Sequence, residues 1–113
     1  MEATNHEIAK QLLSLGVPPQ HMGYAYLVSA IEMALEDQML LHSITTCIYP
    51  EVARKFFTTE HSVERCIRTS ITAAWQDGDR EVQAELFGKY RKERPSNANF
   101  IAVLTTYLLY KTA

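Results

Sequence analysis

The stretch TTEHSVERCIRTSITAAW, residues 58–75, has the residue types and spacing to bind a polar partner. Glu64, Arg65 and Arg68 lie within one helical turn of each other. A guanidinium presents a fork of hydrogen-bond donors and a carboxylate presents acceptors. Such a set can recognise phosphates and the polar edges of planar groups. These three residues therefore suggest a binding site that recognises such groups.

At about 100° per residue, the same stretch divides into two faces. One face is apolar or small and is typical of a buried stripe: Val63, Cys66, Ile67, Ser70, Ile71 and Ala74. The opposite face carries His61, Arg65, Arg68 and Thr72. Thr58 and Thr59 offer N-cap hydroxyls and Glu60 complements the dipole of a first turn, so a helix is predicted to start there and to end near Gly78.

A short helix is predicted to precede this one, opened by Pro50. Its outward residues are Arg54 and Lys55, and the candidates for its buried side are Val52, Ala53, Phe56 and Phe57. Residues 50–76 thus have the layout of a helix-turn-helix, in which the second helix enters the major groove of DNA. Two amphipathic helices that form a plain core hairpin would give the same pattern.

Helical periodicity also dominates the rest of the chain, which predicts an all-α fold in a single compact domain. The further predicted helices cover about 5–15, 23–38, 43–49, 79–87 and a last one from Ser96 or Asn97. The first is expected to bury Ile8, Leu12, Leu13 and Leu15, and Gly16 is expected to end it.

The composition fits one small domain of 113 residues with 47% hydrophobic residues and a formal net charge of −2. The first 50 residues carry one lysine against five acids, whereas the remainder carries ten basic against eight acidic residues. Cys47 and Cys66 are too few for a disulfide framework and are expected to be free, buried thiols. With neither a signal peptide nor an apolar run of spanning length, a cytoplasmic protein without a membrane partner is expected.

Enzymatic chemistry finds little support in the residues. The four histidines have no HxxxH or HExxH spacing, the cysteines form no CxxC, and no glycine-rich loop could cradle a phosphate. No catalytic residue, metal site or cofactor is therefore predicted.

Several stretches of the chain resemble the C-terminal effector domain of stage 0 sporulation protein A, the sporulation response regulator of endospore-forming bacteria. The matching stretches are GVPPQHMGYAYLVSAI, LLHSITTCIYPEVARKFFTT, SVERCIRTSITAAW, the LFG at 86–88 and RPSNANFIAV. Their colinear order extends the resemblance over nearly the whole chain, 1–113. It implies about six helices, double-stranded DNA as the partner and a role in transcription.

The resemblance also assigns roles to residues. Where the family has Arg-Val-Glu-Arg in its recognition helix, this chain has Ser62-Val63-Glu64-Arg65. Glu64 and Arg65 match and are expected to read bases, since arginine can bind guanine and a carboxylate can accept from cytosine. Ser62 departs from the family, and its hydroxyl can reach a phosphate or base edge but cannot replace a bidentate contact, so sequence preference is expected to be altered.

Contacts to the DNA backbone are expected around the base readers. Arg68 matches a family arginine on the same face as Arg65. The other candidates lie at the start of the recognition helix or just before it: Lys55, Thr58, Thr59 and His61.

Further departures set this chain apart from the family. The loop KYRKER, with Lys89, Arg91 and Lys92, is shorter than the family's, which helps to meet the RNA polymerase sigma subunit; it is either a solvated loop or a contact to DNA or polymerase. Tyr107, Leu109 and Tyr110 make the last helix apolar on more than one side, which predicts either a homodimer or partner surface, or a partly exposed aromatic tail. No receiver domain is recognisable, so the chain is either an excised domain or a stand-alone effector, and the departures favour the stand-alone effector.

A competing interpretation is a protein-interaction or dimerisation module that keeps the helix-turn-helix scaffold but binds DNA weakly or not at all. Ser62 and the apolar last helix favour it. Glu64, Arg65 and Arg68 at family spacing favour DNA binding.

Overall fold

The computed structural model describes residues 2–88 and 93–112, with side chains for 5–88 and 93–111, and this part of the chain is helical without a strand. Its α-helices are α1 (Glu2–Leu15), α2 (Met22–Glu36), α3 (Tyr49–Lys55), α4 (Glu60–Asp77), α5 (Arg80–Phe87) and α6 (Asn97–Thr112). A 3-10 helix, Gln38–His42, and a π-helix, Ile44–Ile48, connect α2 to α3. The predicted all-α fold with about six helices is confirmed.

Helix α2 lies at the centre of the fold and packs against α1, α3, α4 and α6. Leu27 and Ile31 on α2 are completely buried, as are Ile67 and Ile71 on α4. Gly23 permits the approach of α2 to α4, because a Cβ there would lie 2.2 Å from Ser70 Oγ and 2.3 Å from the Cys66 carbonyl oxygen. The burial of apolar surface against α2 therefore fixes the rotation of α4 about its axis.

The far end of α4 is fixed by a joint between two turns. Gly16, with a φ of +99°, and Gly78 approach so closely that a Cβ on Gly16 would lie 2.6 Å from Gly78 Cα. The buried amide Nε2 of Gln83 donates to the carbonyl oxygens of Leu15, at 3.1 Å, and Ala74, at 2.8 Å. These bonds satisfy carbonyl groups at the ends of α1 and α4 and join the two helices.

Aromatic rings hold α5 and α6 against the same end of α4. The Trp75 ring packs edge-on against Phe87 and Phe100, with centroids 5.3 and 6.1 Å away. Phe87 and Phe100 stack with centroids 5.3 Å apart. The first turn of α6 is thus anchored beside the end of α4.

Several helix boundaries differ from those predicted. Helix α1 begins at Glu2, three residues before the predicted start. Helix α2 ends at Glu36, where Asp37 caps the following 3-10 helix, so residues 37 and 38 do not belong to it. The π-helix continues directly into α3, which begins at Tyr49, one residue before Pro50.

Three side chains that were expected to be buried are exposed: Cys47, Leu13 and Phe57. Cys66, also expected to be buried, is half-buried, and both cysteines are free thiols. Cys47 lies in the π-helix, where each residue turns the chain by less than 100°, so α-helical spacing misplaces it. Leu13 is 51% exposed at the edge of the apolar stripe of α1, and Phe57 is 96% exposed because the chain has already left α3.

Candidate nucleic-acid interface

The outer face of α4 is set by the residues that bury its inner face. Val63, Ile67 and Ile71 are completely buried. His61 and Arg65 are consequently exposed, and Arg68 and Thr72 are half-buried at the edge of the same face. The structure therefore brings the predicted polar face together on one side of an anchored helix.

Arg65 projects from this face beside an open cavity of about 270 Å³. His21, Cys66 and Thr69 also line the cavity, which lies between the start of α2 and the middle of α4. His21 Nδ1 lies 3.2 Å from Ser70 Oγ, and this contact ties the N-cap residue of α2 to α4. No ion pair of Arg65 occurs among the described residues. Its guanidinium is therefore available to a partner.

Glu64 and Arg68 instead form a cluster with the first residue of α6. Arg68 Nη1 lies 2.5 Å from Glu64 Oε2. Asn97 Nδ2 donates to the backbone carbonyl of Glu64 at 3.0 Å and lies 3.5 Å from Glu64 Oε2. Burial raises the pKa of the nearby Tyr49 phenol, and a hydrogen bond with Asn97 opposes the rise. This cluster orients two of the predicted DNA contacts before any partner binds.

The start of α4 presents free backbone donors. The Thr59 side chain caps the helix by accepting from the Ser62 N–H at 3.0 Å. The first N–H groups of an α-helix have no partner within the helix, and the positive end of the dipole favours an anion such as phosphate. His61 is exposed beside them, Thr58 is half-buried, and Ser62 Oγ lies 4.0 Å from Cys66 Sγ.

The turn before α4 contains four residues, 56–59, and has an unusual backbone conformation at Phe57. Phe57 has a φ of +55°, the left-handed region that normally favours glycine or asparagine. The Thr58 N–H donates to the Ala53 carbonyl at 2.9 Å and the Phe57 N–H to that of Arg54 at 3.4 Å, which is the Schellman pattern of a helix end. The exposed phenyl ring therefore occupies a position that disfavours it.

Lys55 lies away from the cluster on α4. It is exposed at the end of α3, its Nζ lies 6.0 Å from the Phe56 ring centroid, and it lines a second cavity of about 340 Å³ with residues of α1 and α2. The neighbouring Arg54 pairs with Glu51 on the same helix. The DNA-backbone role of Lys55 stays a prediction.

The other residues predicted to meet a partner lie in the loop after α5 and at the end of α6. Lys89, Arg91 and Lys92 lie outside the described residues. On α6, Tyr107 and Leu109 are half-buried, whereas Tyr110 is 79% exposed. The apolar surface at the end of α6 is thus narrower than the sequence pattern predicts.

Asn97, Tyr49 and His21 also belong to this region, although no sequence pattern predicts them there. All three fall within stretches that carry the family resemblance, and that was the available signal. Periodicity could not reveal them, because it describes each helix alone and these contacts join different helices.

The described residues form neither a membrane-spanning helix nor a candidate metal site. Within 2–88 and 93–112, no helix is both long and apolar enough to cross a bilayer. In the same part of the chain, His, Cys, Asp and Glu side chains form no group of three that could hold a metal ion.

The family model described as sporulation initiation factor Spo0A C terminal matches residues 8–108. The chain belongs to this family. The match spans nearly the whole chain and includes α3, the turn and α4. The Spo0A C-terminal family is a DNA-binding effector domain that acts in the regulation of sporulation transcription, and it is not an enzyme family.

Proposed function

We propose that this protein binds double-stranded DNA sequence-specifically by placing α4 in the major groove and thereby regulates transcription. The observation that carries the proposal is Arg65, which is exposed and forms no ion pair among the described residues, on a helix whose opposite side buries Val63 and Ile67 completely. An arginine in this position can form two parallel hydrogen bonds to guanine. Glu64 accepts from cytosine, and Ser62 contributes a single weaker hydrogen bond.

Phosphate contacts surround these base readers in the proposal. Thr58, Thr59 and His61 lie at the start of α4, where backbone N–H groups and the helix dipole favour a phosphate oxygen. Arg68 lies one turn beyond Arg65 on the same face and Lys55 ends the preceding helix. Because such contacts release counterions, binding should weaken steeply as salt increases.

The proposed regulator acts on promoters, with the cytoplasm as its location and the RNA polymerase sigma subunit as a further partner. Family membership supports a role in transcription. Lys89, Arg91 and Lys92 are the residues proposed for the polymerase or for additional DNA contact.

The test begins with selection of bound duplexes from a random DNA pool by the wild-type protein. Affinity for the selected duplex and for a composition-matched scrambled duplex is then measured by fluorescence anisotropy over a range of salt concentrations. The wild-type protein should prefer the selected duplex, and its log affinity should fall linearly with log salt concentration.

Arg65→Ala tests the principal base reader in the same assay. It should lower affinity for the selected duplex by about 5- to 150-fold, the equivalent of about 1–3 kcal/mol, and should leave the melting temperature unchanged. Arg80→Ala is the matched control, because it removes the same charge from α5. Equal losses in both variants, or no selected sequence at all, would contradict the proposal.

A second candidate function is protein interaction or self-association through the end of α6. Tyr110 favours it, since this ring is 79% exposed. An ion pair joins this end of α6 to α1, with Lys111 Nζ 3.1 Å from Glu7 Oε2. Sedimentation velocity of the wild type and Tyr110→Ser distinguishes the two. A concentration-dependent dimer that Tyr110→Ser abolishes, without DNA binding by the wild type, would favour this second function.

A further inference from the structure

The cluster that joins α4 to α6 contains a side chain with no role in the proposed contacts to DNA. Asn97 is the first residue of α6 and is only 9% exposed. Its amide nitrogen lies 3.0 Å from the Glu64 carbonyl oxygen and 3.5 Å from the Glu64 carboxylate. A buried amide from a different helix thus binds both the main chain and the side chain of a proposed base reader.

The Glu64 carboxylate is held from a second side by Arg68. Arg68 Nη1 lies 2.5 Å from the same Oε2 atom that Asn97 approaches. The Glu64 side chain is 33% exposed, so part of the carboxylate still faces solvent. A long side chain that is held before binding loses less conformational freedom when it meets its partner. The two contacts therefore pre-set the direction in which Glu64 presents its free acceptor.

The remaining atom of the Asn97 amide indicates that this side chain is placed for its donor. Among the described residues, Asn97 Oδ1 is a buried acceptor without a hydrogen-bond partner. A buried unpaired polar atom lowers stability, so an apolar residue would suit this position better if packing alone mattered. The amide nitrogen, in contrast, approaches both the carbonyl and the carboxylate of Glu64.

We infer that Asn97 is a positioning residue that determines which base pair Glu64 prefers, an inference that rests on the proposed DNA binding. It acts through Glu64 and does not touch DNA itself. When the amide is lost, the carboxylate is held by Arg68 alone and can turn with it. The preference at the base pair that Glu64 reads then becomes weaker, while the neighbouring preference set by Arg65 persists.

The test is a panel of duplexes in which each base pair of the selected sequence is changed in turn. Relative affinities are measured for the wild type, Glu64→Ala, Asn97→Ala and Asn99→Ala. Asn99→Ala is the matched control, because the same substitution is made two residues further along α6 at an exposed position. Thermal melting verifies that each variant is folded, and salt titrations report the number of phosphate contacts.

Asn97→Ala should flatten the preference by about fivefold or more at the base pair affected by Glu64→Ala, and at no other. The salt slope should not change, because Asn97 is uncharged and releases no counterion. Uniform weakening over all duplexes, or an intact preference at the base pair of Glu64, would overturn the inference. A wild type without any sequence preference would instead refute the proposed function.

Asn97→Leu provides the same test if Asn97→Ala melts below the assay temperature. Leucine has nearly the same size and suits a buried position, but it offers Glu64 no donor. It should therefore weaken the preference at the same base pair in a folded protein. Retention of the wild-type preference by folded Asn97→Leu would overturn the inference equally.

Discussion

The two ends of α4 differ in what their residues accomplish. At the end near Asp77, Gly16, Gly78 and Gln83 meet in a joint with no space for an added methyl group. At the start, Phe57 points into solvent from a left-handed backbone conformation, and the Thr59 side chain caps the first turn. One end of the helix is thus built for stability, whereas the other carries strain and exposed polar groups beside the proposed base readers.

This difference is typical of a helix that must present a binding surface. Tight packing at one end holds the axis in place, so the polar residues at the other end keep their positions without being buried themselves. Strained conformations persist where the surrounding structure over-determines them, and they cluster at functional sites. The comparison predicts that substitutions at the two ends have opposite effects on stability.

The largest effect is expected at the packed end. Gly78→Ala would place a Cβ 2.4 Å from the carbonyl oxygens of both Ala74 and Leu15, and these backbone atoms cannot move independently of their helices. The free energy of unfolding, measured by urea denaturation, should fall by about 3 kcal/mol. Gly88→Ala is the control, because no atom of the described residues lies within 4 Å of a Cβ at that position. Equal stability of the two variants would mean that the joint is not tightly packed.

An opposite and smaller effect is expected at the start of α4. Phe57→Asn should raise the free energy of unfolding by about 1 kcal/mol, because asparagine tolerates a φ of +55° better and an exposed ring forfeits almost no burial. Thermal melting can measure the increase. Tyr110→Asn, at another exposed aromatic residue but within a regular helix, should instead lower stability slightly. A loss of stability in Phe57→Asn would show that the ring makes a contact worth more than the strain.

The smallest effect concerns charge at the same end. Ser62→Arg places a cation beside the proposed groove contacts, and the slope of log affinity against log salt should steepen by about 0.9 if the arginine meets a phosphate. Thr106→Arg adds the same charge on the exposed side of α6 and should leave the slope unchanged. Identical slopes in the two variants would place Ser62 outside the DNA contact.

The sequence predicts the packed inner face of α4 better than its surroundings. Val63, Ile67 and Ile71 are buried as the 100° spacing predicts, and the Thr59 cap and Gly78 lie at the ends of the helix. Local chemistry determines these features, so a pattern can reveal them.

Other features depend on contacts between distant residues. Asn97 meets Glu64 across 33 positions of the chain, and Gln83 reaches Leu15 across 68. Cys47 is exposed because it lies in a π-helix, and Phe57 because it lies in a left-handed turn. A prediction from periodicity assumes a regular α-helix and therefore misses both. The sequence therefore predicts the residue type and the helix of each candidate DNA contact. Only the structure shows the direction in which its side chain points.

Amide chemical-shift mapping shows whether the outer face of α4 meets DNA. The uniformly ¹⁵N-labelled protein is titrated with the selected duplex at low salt. The largest shifts should fall on residues 58–69, with smaller ones at Asn97, and residues 107–111 should change little. Shifts that cluster at 107–111 while His61, Arg65 and Arg68 stay unchanged would show that α4 does not meet DNA.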